Sequence, residues 1–328
     1  MFIKDISRNR IVIPVSIVIS LIMTGLSAVF LQTLLPSAQP DNLLWGCIEG
    51  WKSYLQRGIF INYIITLAAG WSVFKINETF SLSHNRSYLP FVFYLLLQIT
   101  NPYLQFISEG TLAILLGLPA IAILFGSYQR EQASEYGFWV GLLWGTLALF
   151  WTKALLYLPL FLIGFWLMRS WRFKVFLSIL IGAITPFWLQ FSWLFFKGEL
   201  LPFTNQFQEL YHYVPKAITS IPLALQINLG VTLLIAIIAG FYLLVTNFRE
   251  KVRTQACFSF LILLCILSAT LCLIDSDNIT GHLSLFYITV AFLASNIFLK
   301  VQTKPTGFLF FIIMAAYFAS YIFSLWII

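Results

Sequence analysis

The chain has 328 residues, of which 60% are hydrophobic, 18% aromatic and only 9% charged, with a net charge of +7 and a mean hydropathy of +0.90. Soluble domains are roughly half apolar and about a quarter charged, so this composition excludes a soluble globule, which would lack the polar side chains to cover its surface. It also excludes nucleic acid as the reason for the basic excess, because Lys and Arg fall in short clusters between apolar runs and no RNP, zinc-finger or helix-turn-helix signature accompanies them.

A span needs roughly 17–25 predominantly apolar residues. On that criterion the sequence predicts membrane helices near 11–35, 58–74, 88–106, 111–128, 136–151, 154–168, 175–196, 221–247, 256–274, 283–299 and 307–328. The first run follows Lys4, Arg8 and Arg10 and is too long for a secretory signal, so it reads as a retained anchor. The runs are continuous, without the ten-residue alternation of barrel strands, so the expected fold is all-α: one polytopic membrane domain over 1–328 with about eleven transmembrane helices.

Short-loop charge sets the orientation. With the N-terminus inside, the cytoplasmic side receives Lys4, Arg8, Arg10, Lys75, Arg86, Arg130, Arg169, Arg172, Lys174, Arg249, Lys251, Arg253, Lys300 and Lys304. Only Lys52, Arg57, Lys153, Lys197 and Lys216 fall outside. The C-terminus is then external. Two external loops, Pro36 to Arg57 and Lys197 to Ser220, carry aromatics and aliphatics among their charges and are expected to lie in the interface.

No Walker loop, G-x-S-x-G elbow, H-E-x-x-H or Rossmann fingerprint is present. Cys47, Cys257, Cys265 and Cys272 form no C-x-x-C pair and read as packing residues, and His84, His212 and His282 fall in predicted loops. Chemistry therefore has to come from the external acids Asp41, Glu49, Glu109, Glu199, Glu209, Asp275 and Asp277. Acids at a cavity mouth serve as general bases or hold a divalent cation, and otherwise are solvated loop carboxylates. Lys153 is the most unusual cation, set between two apolar runs on the side that the charge rule disfavours. It either snorkels to the interface or binds a lipid phosphate.

Ser87-Tyr88-Leu89-Pro90 and the later Glu135-Tyr136-Gly137-Phe138-Trp139-Val140-Gly141-Leu142 resemble an uncharacterised family of multi-spanning inner-membrane proteins of Bacteroidota. That resemblance implies a bacterial inner (plasma) membrane location. Gly141-Leu142-Leu143-Trp144-Gly145, Thr152-Lys153 and Leu158-Pro159 are more distantly similar to the membrane region of GT-C glycosyltransferases. Those enzymes take polyprenyl-phosphate-linked sugars as donors. The resemblance implies Asp41 or Glu49 as the catalytic base in the first external loop, and Glu109 as a second acid that helps to hold a divalent cation if one is used. Lys153 and Arg57 would then bind the lipid phosphate. The chain departs from that pattern in lacking an acidic pair directly after the first helix, because Leu35 to Pro40 intervenes before Asp41.

Two other functions fit the composition. A non-catalytic scaffold or subunit of an envelope complex would use the aromatic-rich helices to hold partners. A lipid or small-solute transporter would need polar groups lining a path, for which Gln98, Asn101, Gln190, Gln226 and Asn228 are the candidates.

Overall fold

A computed structural model describes residues 11–30, 55–83, 87–198, 201–208, 210, 222–246, 250–275, 278–300 and 304–327, with the backbone alone at 55–57, 202, 304–306 and 327. Among the described residues there is no strand. The helices are α1 (Val12–Phe30), α2 (Leu55–Thr79), α3 (Leu89–Ile99), α4 (Glu109–Gly126), α5 (Ser134–Phe150), α6 (Leu158–Leu167), α7 (Phe173–Lys197), α8 (Leu201–Gln208), α9 (Leu223–Thr246), α10 (Val252–Ile274), α11 (Ile279–Lys300) and α12 (Lys304–Ile327). Two 3-10 helices, Pro102–Leu104 and Thr152–Tyr157, follow α3 and α5.

Among the described residues eight helices are long and apolar enough to cross a bilayer: α1, α2, α4, α7, α9, α10, α11 and α12. The chain is an integral membrane protein by this architecture. The other three predicted spans, 88–106, 136–151 and 154–168, are helices of 11, 17 and 10 residues. They are short because apolar sequence and helix are different things. In the first, Pro102 has no N–H to give and pushes Asn101 out of the α region. The apolar run continues past that break while the helix does not.

The helices form two compact units. The first holds α1, α2, α3, the opening residues of α4, and α9 to α12. Its centre is α11, buried on all sides from Gly281 to Phe298. A helix that is apolar all round belongs inside a bundle, and in α11 the Thr289 and Ser295 hydroxyls are returned to carbonyls of their own helix. α3 runs antiparallel to it: Phe93 stacks on Phe298 at 5.4 Å, and Asn101 donates to the Tyr287 hydroxyl at 3.3 Å. Every residue of α3 is buried. Its start is fixed by Pro90 in the first turn and by Ser87, whose hydroxyl accepts the Leu89 N–H.

The second unit holds the rest of α4, α5, α6, α7 and α8. α5 and α7 meet along small residues. A Cβ on Gly141 would strike the Ile179 carbonyl, one on Gly145 the Ala183 carbonyl, and one on Gly182 the Phe138 carbonyl. Such backbone contact is the usual basis of helix association in lipid. The glycines of the GT-C-like pattern thus have a packing duty. α8 falls within the second expected interfacial loop: Phe203 and Phe207 pack on Phe191 and Phe187 of α7, and Gln206 pairs reciprocally with Gln190. The first expected interfacial loop, 36–57, lies outside the described residues apart from the start of α2.

Away from these contacts the surface is apolar. Trp188, Trp193 and Phe196 on α7 and Ile237 and Phe241 on α9 are exposed, as lipid-facing residues are when hydrocarbon is the solvent.

Candidate functional site

The polar groups of the first unit gather where α4 meets the N-terminal end of α11. Glu109 is the first residue of α4 and is only 5% exposed, so it is neither in a loop nor solvated. Gly110 is what allows this approach. A side chain there would strike the Ser284 hydroxyl and the Thr280 carbonyl of α11. With the two backbones in contact, the Thr280 hydroxyl donates to Glu109 Oε2 at 2.8 Å. An acidic residue in the first turn also complements the positive end of a helix dipole.

A second carboxylate lies beside the same turn of α11. Asp275 caps the end of α10 and is 3% exposed; its Oδ2 stands 3.3 Å from His282 Nε2 and accepts from Asn278 Nδ2 at 3.4 Å. His282 is fully buried in the first turn of α11, not in the predicted loop. The apolar window that defined the predicted span opens at Leu283, and helix α11 begins four residues before it. Ser108 and Ser284, flanking Glu109 and facing Gly110, are buried hydroxyls without a hydrogen-bond partner among the described residues.

Below this acidic cluster the polar side chains are tied to one another. Thr111 donates to Asn62 Oδ1, and Asn62 Nδ2 donates to the Leu104 carbonyl, both at 2.8 Å. Tyr287 receives Asn101 and donates to Asn228 Oδ1, and Asn228 reaches Ser320 on α12. Thr232 and Tyr317 share a hydrogen bond at 2.9 Å. Thr24, Asn62, Tyr63, Thr66, Gln98 and Gln105 line a cleft of about 10 Å³. That is room for about one water, not for a solute.

Lys153 belongs to the second unit. It sits in the 3-10 helix after α5 and is 4% exposed, so it does not reach out to the surrounding interface. Around that turn Trp144 stacks on Tyr157 at 5.5 Å and packs on Phe161 at 4.9 Å. The Thr152 hydroxyl and the Trp144 indole N–H are buried without hydrogen-bond partners among the described residues. The turn therefore holds a cation and two further hydrogen-bonding groups in a buried aromatic setting, a chemistry suited to an oxyanion.

Asp41, Glu49, Glu199, Glu209 and Asp277, with His84 and His212, lie outside the described residues, as does the side chain of Arg57, whose backbone is in the first turn of α2. Among the described residues no three acid, His or Cys side chains converge as a cation site, Glu109 included. The residues that sequence reasoning missed are Thr280 and Ser284, and it placed His282 in a loop. The only signal for Thr280 and His282 is a run of polar residues ahead of Leu283, which a hydropathy window discards, and Ser284 lies inside the predicted span.

No family model, curated protein or solved structure matches the chain.

Proposed function

We propose that this integral membrane protein is a glycosyltransferase of the GT-C kind, in a bacterial inner membrane, that transfers sugar from a polyprenyl-phosphate donor at its acidic end. The observation that supports this reading is the burial of Glu109 and of the Asp275–His282 pair around the first turn of α11. Ionisable side chains inside a membrane protein are costly and mark function by default.

Glu109 serves as the base that accepts a proton from the acceptor hydroxyl, with Thr280 fixing its orientation. Asp275 holds His282 in one orientation beside this base. Lys153, in its own unit, neutralises a lipid phosphate. No step requires a metal. Transport is the weaker reading, because three of its five candidate polar residues are already engaged: Gln190 with Gln206, and Asn101 and Asn228 through Tyr287.

The test is release of polyprenyl phosphate from labelled polyprenyl-phosphate hexoses and pentoses by the full chain in proteoliposomes. Glu109→Gln keeps an oxygen to accept from Thr280, so the fold survives while turnover falls about 100-fold or more. Lys153→Gln raises KM more than it lowers kcat. Wild-type protein that releases no polyprenyl phosphate from any donor, or a Glu109→Gln variant with full turnover, ends this reading.

A further inference from the structure

The far end of the first unit carries the opposite charge and a different kind of site. α11 has 22 residues, about 33 Å of helix, and at its C-terminus Lys300 pairs with Glu250 at 2.6 Å. The α10 helix begins beside that pair, with Lys251 at its N-cap and Arg253 as its second residue. The Arg253 guanidinium lies 5.0 Å from the centre of the Phe80 ring, just past the end of α2. We propose that Arg253, Lys251 and the first turn of α10 bind the phosphodiester headgroup of an anionic membrane phospholipid.

Four observations lead there. Arg253 stands at the positive end of a helix dipole, where a cation is disfavoured, so helix stability does not account for it. Its neighbouring carboxylate, Glu250, is already in an ion pair with Lys300. Among the described residues no carboxylate pairs with Arg253, and its Nε is buried with no acceptor. Lys251 makes no side-chain cap, so the opening N–H groups of α10 receive no acceptor from the N-cap residue.

An arginine, a lysine and an uncapped helix start form a donor set that suits the oxygens of a phosphate diester. Phe80 holds the guanidinium from one side and leaves its remaining donors to such an oxyanion. The ligand is a lipid rather than a soluble anion because of depth. α10 is long and apolar enough to cross a membrane from Val252, itself exposed beside Arg253, and a span that starts there puts this turn at the headgroup layer. The site does not depend on the proposed glycosyl transfer.

The experiment is native mass spectrometry of the full chain released from detergent micelles, with phosphatidylglycerol, phosphatidylcholine or inorganic phosphate added. Wild-type protein retains phosphatidylglycerol in preference to phosphatidylcholine, and inorganic phosphate does not displace it. Arg253→Gln lowers phosphatidylglycerol retention about ten-fold. Lys251→Gln, which changes an exposed side chain and cannot disturb packing, lowers it about three-fold. Equal retention of both lipids, unchanged retention in Lys251→Gln and Arg253→Gln, or displacement by inorganic phosphate overturns the proposal.

Discussion

Tyr287 shows what a single hydroxyl does inside this bundle. It receives the Asn101 amide from the segment after α3 and donates to Asn228 on α9, so one oxygen ties three segments of the first unit together. In lipid the alternative partner for Asn228 is not water. Removing the hydroxyl therefore strands an amide oxygen, although mutational series place such interhelical bonds nearer 0.6 than 2 kcal/mol because the unfolded chain in the membrane also finds partners. Tyr287→Phe is expected to cost about 1 kcal/mol, read as a lower midpoint for thermal unfolding in detergent. Gly230→Ala, where an added Cβ meets nothing within 4 Å, should leave that midpoint unchanged. At this scale the sequence identified Glu109 and Lys153 as unusual but said nothing about burial. A carboxylate next to Gly110 reads as a loop acid until the glycine is seen to admit α11, and that contact lies 171 residues away along the chain.

Helix boundaries depend on what lies beyond an apolar run. The first of the three runs that gave short helices still extends along most of its neighbour α2. Tyr88 stacks on Phe74, late in α2, whereas the Leu104 carbonyl accepts from Asn62, early in α2. The stretch between them thus traverses the first unit although α3 supplies only about 16 Å of it. Broken backbone at membrane depth is tolerated where protein covers it, and the Asn101 side chain meets that need by accepting the Tyr103 N–H. In the second unit Thr152–Leu167 covers about 27 Å as a 3-10 turn followed by a helix. Hydropathy gave these segments their positions, but Pro102 and the turn after Trp151 gave them their form. α5 and α7 carry the clearest prediction at this scale. Gly141→Leu forces a side chain into the Ile179 carbonyl and separates two helices that touch by their backbones, costing about 1–3 kcal/mol. The measurement is protease resistance of the second unit in detergent, with Gly240→Ala, which has open space, as the control.

Across the first unit as a whole, charge is divided by end. Glu109 and Asp275 lie at the N-terminal end of α11, whereas Lys251, Arg253 and Lys300 lie at its other end with Phe80 and Leu82 of the α2 terminus. This division was legible in the sequence as a bias in Lys and Arg, because short basic loops are retained on the cytoplasmic side during insertion. The pairing of the acids was not legible, since it depends on which helix ends become neighbours. The two ends make a direct prediction for orientation. With Cys47 replaced by serine, and Cys257, Cys265 and Cys272 buried, Asn278→Cys reports on the acidic end and Lys251→Cys on the basic end. A membrane-impermeant maleimide should label Asn278→Cys on intact cells and Lys251→Cys only after permeabilisation. The two positions are separated by the single span α10, so they must label from opposite sides if that helix crosses. Labelling of both from outside would remove α10 as a span. The reverse pattern would turn the acidic end toward the cytoplasm, and a lipid-linked sugar presented at the external face could then no longer meet Glu109.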